Sequence, residues 1–158
     1  ADVDPKLSLA AAAGRPGLVA LRSFGKFFGL AGARLGFAFG PVDLMARLAD
    51  ALGPWAVGGP VLRVAAQAMN DATWIVAMRR RLAEAAAQLD ATLKAGGLEI
   101  VGGTDLFRLA AHPEAGEIYS RLGRRGILVR DFRDHPAWLR FGIPPESGLA
   151  RLAAALAV

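Results

Sequence analysis

The sequence predicts an α/β chain: strands around a glycine-bearing loop, then helices, then a small α+β unit. Three observations predict it. Two short apolar runs, Leu18 to Arg22 and Ala33 to Phe39, flank a loop carrying Gly25, Gly29 and Gly32. A long helical periodicity follows Asp71. Beyond Gly97 the apolar runs become short and alternate with helical stretches, the pattern of strands with packing helices.

The elements follow in order. Residues 1–17 form a leading segment, with a helical turn over Pro5 to Ala13 that Gly14, Pro16 and Gly17 break. The runs at 18–22 and 33–39 read as strands because they are short, apolar and glycine-flanked; Gly40-Pro41 closes the second. Leu44, Met45, Leu48 and Leu52 recur at three and four, so a helix starts at Pro41 and ends at Gly53-Pro54. A second helix covers Val61 to Met69. Asp71 is suited to cap a third, in which Trp74, Ile75, Met78, Leu82, Ala86, Leu89 and Leu93 share a face and Arg79, Arg80, Glu84 and Asp90 fall largely outside it. Gly96-Gly97 stops that helix. Strands at Leu98 to Val101 and Leu106 to Ala110, a helix from Glu114 to Leu122, strands at Ile127 to Phe132 and Trp138 to Ile143, and a helix from Glu146 to Ala157 complete the chain. A lobe boundary is expected between Gly40 and Pro60.

Composition narrows the function classes. With 158 residues, 54% of them hydrophobic, the chain can fill a core, and without cysteine it is neither a disulfide-stapled module nor a thiolate zinc site. The formal charge is +5, and a basic balance can signal a polyanionic partner. Here the arginines are scattered with no long block of like charge, which argues against nucleic acid. The start of the chain has Asp2 and Asp4 where a signal peptide is basic, and no apolar run is long enough to span a membrane. The cytoplasm is the expected location.

Lys26 follows a strand among glycines and phenylalanines. A lysine amine in apolar surroundings loses hydration of its charged form, which favours the free amine that attacks a carbonyl. Alone, it would read as an ordinary loop lysine. Ser23 precedes it and Arg34 follows, with Gly25, Gly29, Gly32 and Gly36 around them. A hydroxyl, a guanidinium and exposed backbone N–H groups are the donors that a phosphate dianion needs. An aldehyde-reactive amine beside phosphate donors describes a pyridoxal phosphate site. On the later strand Trp138, Arg140 and Gly142 share one face and Leu139, Phe141 and Ile143 the other, so Arg140 can face a cleft while its neighbours pack. Arg130 by itself reads as a surface residue served by Asp131 and Asp134. His112 and His135 have no metal-site spacing.

The run Ser23-Phe24-Gly25-Lys26-Phe27-Phe28-Gly29-Leu30-Ala31-Gly32-Ala33-Arg34-Leu35-Gly36-Phe37 closely resembles the lysine motif of fold-type I pyridoxal-phosphate enzymes of the class I/II aminotransferase superfamily. Pro54-Trp55, the run 126–130 and the run 138–144 resemble later segments of the same superfamily in the same order. The resemblance implies that Lys26 is the Schiff-base lysine, that Ser23 and Arg34 hold the cofactor's phosphate, and that Arg140 grips a substrate carboxylate, with Arg130 on a substrate phosphate. It further implies the C-terminal part of a pyridoxal-phosphate-dependent transferase-like fold: 1–40 ending the large-domain sheet, 41–97 inter-domain helices, 98–158 the small α+β domain. Upstream, such a protein carries an aspartate for the pyridine nitrogen, which Asp2 and Asp4 do not match. Catalysis by these residues alone is therefore not expected.

Within the superfamily the wording around Lys26 and over 136–144 resembles most the threonine-phosphate decarboxylase branch of cobalamin biosynthesis, acting as a homodimer on a phosphorylated amino acid. Two alternatives within that resemblance are a histidinol-phosphate-type aminotransferase and the aminotransferase-like effector domain of a transcription regulator. A non-catalytic module binding phosphate or nucleic acid is the remaining class.

Overall fold

The computed structural model describes residues 2–157. By its contacts the chain divides between Ile75 and Val76, inside the third helix, where the sequence pointed to the 40–60 stretch. The reason is aromatic. Trp74, in that helix's first turn, packs against Phe27 and Phe28 and so ties the helix start to the earlier residues.

In the first unit two 3-10 turns, Pro5–Leu7 and Ala10–Ala12, replace the expected single turn. Strands β1 (Ala20–Ser23) and β2 (Gly36–Phe39) form an antiparallel ladder from Ala20↔Phe39 to Ser23↔Gly36. Both begin later than the apolar runs do. The Leu18 amide is spent on Arg15 O, and the Ala33 and Arg34 amides close a 3-10 turn onto Leu30 O and Ala31 O. An amide already donated cannot join a ladder. Helices α1 (Val42–Leu52), α2 (Gly59–Asn70) and α3 (Ala72–Ala95) lie close to their expected bounds. Asp71 Oδ1 accepts the Trp74 amide at 2.9 Å, the cap expected of it.

The second unit opens with the end of α3. Gly97, at φ +83°, lets the Leu98 amide reach Leu93 O while its own amide reaches Lys94 O, the paired bonds of a Schellman stop. A sheet of order β3-β4-β6-β5 follows, antiparallel at every pairing, from β3 (Glu99–Thr104), β4 (Phe107–Ala111), β5 (Arg130–Asp131) and β6 (Trp138–Gly142). Helices α4 (Ala115–Arg124) and α5 (Glu146–Leu156) pack with it. The expected strand over 127–132 shortens to two residues because the Ile127 amide is spent on Leu122 O at the end of α4. Leu89, Leu93, Leu122, Leu139 and Phe141 are fully buried in one cluster, each contributing roughly 1.5–3 kcal/mol by leaving water. One tertiary contact escaped the sequence reading. Asp90, expected to lie outside the apolar face of α3, is half-buried and receives Arg108 Nε from β4 at 2.7 Å.

Candidate functional site

The β1–β2 hairpin presents the first group of candidates. Its ladder ends at Ser23↔Gly36, so residues 24–35 form a loop that closes on itself through Phe24 N to Leu35 O (3.3 Å) and Leu30 N to Phe24 O (3.0 Å). Phe24, Phe27, Phe28 and Leu35 fill its inside. Ser23, Lys26 and Arg34 are left exposed. The sequence led to an apolar enclosure for Lys26; in the structure the rings turn inward and the lysine turns out, so these residues do not desolvate it. Among the described residues the Lys26 side chain makes no hydrogen bond or ion pair, while its backbone carbonyl accepts the Gly29 amide at 3.0 Å.

Ser23 Oγ accepts the Gly25 amide at 3.1 Å, which turns the chain sharply after β1. A Cβ at Gly25 would lie 3.3–3.4 Å from Ala31 and Ser23 Oγ, so the tight turn favours glycine there. Arg34 adopts the left-handed conformation (φ 51°, ψ 38°), and its Nη1 donates to Ala31 O at 3.2 Å. A non-glycine residue held there costs on the order of 1–3 kcal/mol, and such strain gathers at binding sites. A hydroxyl, a primary amine and a guanidinium thus share the loop end of one hairpin, all open to solvent.

The second group lies on the sheet of the second unit. β6 alternates as expected: Leu139 and Phe141 are buried, Arg140 and Gly142 exposed. The Arg140 guanidinium lies 5.4 Å from the centre of the Phe107 ring on β4, a cation–π contact that steadies its plane. Arg130 on β5 is the register partner of Arg140. Two like charges directly opposite are destabilising in a bare sheet, and among the described residues neither arginine makes an ion pair. A bound anion would offset that repulsion. The two histidines have structural work: His112 Nδ1 accepts the Glu114 amide at 3.0 Å before α4, and the His135 ring stacks on Trp138 at 4.1 Å. Among the described residues no three His, Asp or Glu side chains gather as a metal site, and no helix is long and apolar enough to cross a membrane.

Known proteins match this chain in sequence and in fold. Over 156 residues the chain is 49% identical to a threonine-phosphate decarboxylase of Pseudomonas aeruginosa, covering 98% of this chain and 47% of that protein. It is 30% identical over 146 residues to histidinol-phosphate aminotransferase 2 of Rhizobium meliloti, covering 88% of this chain and 42% of that protein. The chain therefore spans about half the length of the relatives it matches. The crystal structure of histidinol-phosphate aminotransferase from Sinorhizobium meliloti, in complex with pyridoxal-5'-phosphate, superposes with a TM-score of 0.86 at 20% identity over 98% of this chain and 45% of that one. The family model of the class I and II aminotransferases matches residues 2–156. With that family model matched over nearly its whole length and a relative 49% identical over 98% of it, the chain belongs to the aminotransferase class I and II family.

Proposed function

We propose that the whole protein decarboxylates L-threonine O-3-phosphate to aminopropanol phosphate, in cobalamin biosynthesis, with pyridoxal 5'-phosphate as cofactor. The donor set fits that cofactor. Ser23 Oγ and the Arg34 guanidinium suit its phosphate, and Lys26 Nζ, exposed and unpaired among the described residues, suits its aldehyde. When bound, the cofactor supplies an electron sink for a carbanion at the amino acid's α-carbon. The residues of this chain do the rest. Arg140 would hold the substrate carboxylate through charge-assisted hydrogen bonds, Arg130 would hold the substrate phosphate, and Lys26 Nζ would carry the proton to the α-carbon. The Asp that pairs with the pyridine nitrogen in the family is not matched by Asp2 or Asp4, so turnover is assigned to the whole protein, as a homodimer in the cytoplasm.

The observation that carries the doubly anionic substrate is the opposed pair Arg130↔Arg140, two exposed guanidinium groups on one sheet face. Similarity to the Pseudomonas aeruginosa decarboxylase favours loss of carbon dioxide over transamination. The same arginine pair would also serve a phosphorylated amine, and the aminotransferase relative supports that second reading. Incubation of full-length protein and pyridoxal phosphate with threonine phosphate, and separately with histidinol phosphate and a 2-oxo acid, separates them. The decarboxylase releases carbon dioxide and forms no keto acid. An aminotransferase consumes histidinol phosphate together with a 2-oxo acid. Lys26→Ala is expected to abolish turnover, and Arg140→Lys to lower kcat/KM roughly 10–100-fold through a lost charge-assisted bond.

A further inference from the structure

The lysine stem carries about 2 kcal/mol of rotamer freedom, so what the fold can fix for Lys26 is its backbone. The two residues after it are pinned by rings. Phe28 stacks on Phe24 (4.4 Å between centres, 11° between planes) and meets Phe27 edge-on at 5.1 Å. Trp74, outside the loop, meets both phenylalanines. Trp74 stacks on Phe28 (5.8 Å, 12°) and meets Phe27 edge-on (5.6 Å, 79°). The backbone of Trp74 is held in the first turn of α3, its amide donating to Asp71 Oδ1 at 2.9 Å. The Arg22 guanidinium also lies 5.7 Å from the Phe28 centre, and it grips Asp2 Oδ1 through Nε and Nη2 (2.9 and 2.7 Å). A cavity of about 280 Å³, lined by Phe28, Val64, Gln67, Ala68, Asp71 and Trp74, borders the ring pair. Shortening Trp74 would enlarge that space and leave Phe28 room to swing into it.

We propose that Trp74 is a positioning residue for Lys26: by clamping Phe27 and Phe28 it holds the lysine's backbone so that Nζ meets the cofactor carbonyl in one geometry. This rests on the assignment of Lys26 as the cofactor-bonding residue. Displacements near 1 Å at a reacting atom cost about 100-fold in rate, and ring contacts of this kind are worth about 0.5–1.5 kcal/mol each beyond burial. Trp74 contributes two.

The test uses full-length protein and pyridoxal phosphate, read by equilibrium dialysis and by the rate at which borohydride traps the cofactor on Lys26. Trp74→Leu is expected to weaken binding and slow trapping about ten-fold or more, and Trp74→Phe to restore both to within about three-fold, because a ring keeps the stacking. Trp74→Met, a flexible apolar filling, carries the expectation of Trp74→Leu should that variant not fold. Leu122→Ala, a core cavity in the other unit, is expected to lower Tm and leave both readouts within about two-fold, since distant sites act independently. Wild-type binding and trapping in Trp74→Leu overturns the proposal, as does an equal loss in Leu122→Ala, which would mark a general stability effect. Lys26→Ala separates the two assignments. If it still traps the cofactor fully at another lysine, the role of Lys26 falls and the positioning role with it; if it abolishes trapping while Trp74→Leu is silent, only the positioning role falls.

Discussion

Arg34 bears two demands at once, a guanidinium aimed at solvent and a backbone at φ 51°. The second is unfavourable for any residue with a Cβ, and glycine would meet it without strain. Arg34→Gly in the full-length protein is therefore expected to leave thermal stability unchanged or raise it by up to about 1 kcal/mol, while pyridoxal phosphate retention after dialysis falls. Lower stability together with intact retention would show that the arginine serves the fold instead of the phosphate. The residue types and spacing of Ser23, Lys26 and Arg34 were legible in the chain. The solvent exposure of Lys26 was not: burial depends on which way neighbouring side chains turn, and it is Phe24, Phe27 and Phe28 that occupy the inside of the loop. Nor was the opposition of Arg130 to Arg140 legible, because strand register is a pairing between distant residues.

Helices were read well because caps and stops are local chemistry. Asp71 before α3 and Gly96-Gly97 after it did what their types imply. Gly97 gives a direct test. Its φ of +83° penalises a side chain, while an added Cβ would meet only His112 Nε2 at 3.9 Å, so strain rather than collision sets the cost. Gly97→Ala is expected to destabilise the protein by about 1 kcal/mol or more. Gly97→Asn should cost less, since asparagine tolerates the left-handed region. Equal melting temperatures for wild type and Gly97→Ala would contradict this. The strands were read less well at their starts. Leu18, Ala33 and Ile127 all have the composition of strand residues, yet each spends its amide on a preceding turn or helix end, and an apolar side chain does not reveal where its backbone bonds.

Among the described residues two packed groups of side chains stand out: the aromatic cluster around Phe24 and Phe28, and the mainly aliphatic cluster of Leu89, Leu93, Leu122, Leu139 and Phe141. Leu122→Ala is expected to cost about 2–5 kcal/mol, read as a lowered denaturation midpoint, and a shift below about 1 kcal/mol would show that this cluster is not a tight core. The charge of +5 takes on a more specific meaning at this scale. Arg22 and Arg108 pair with Asp2 and Asp90, whereas Arg34, Arg130 and Arg140 are exposed and are the arginines that the proposed function gives to small anions. By itself the sequence determined the α/β class, the helices and the lysine motif, because periodicity, capping and loop chemistry are properties of neighbouring residues. Tertiary structure alone decided the division at Ile75, the Arg108 to Asp90 bond, the arginine pair and the seating of Trp74 on the lysine loop. Each of these joins residues far apart in the chain, and only packing can bring such residues together.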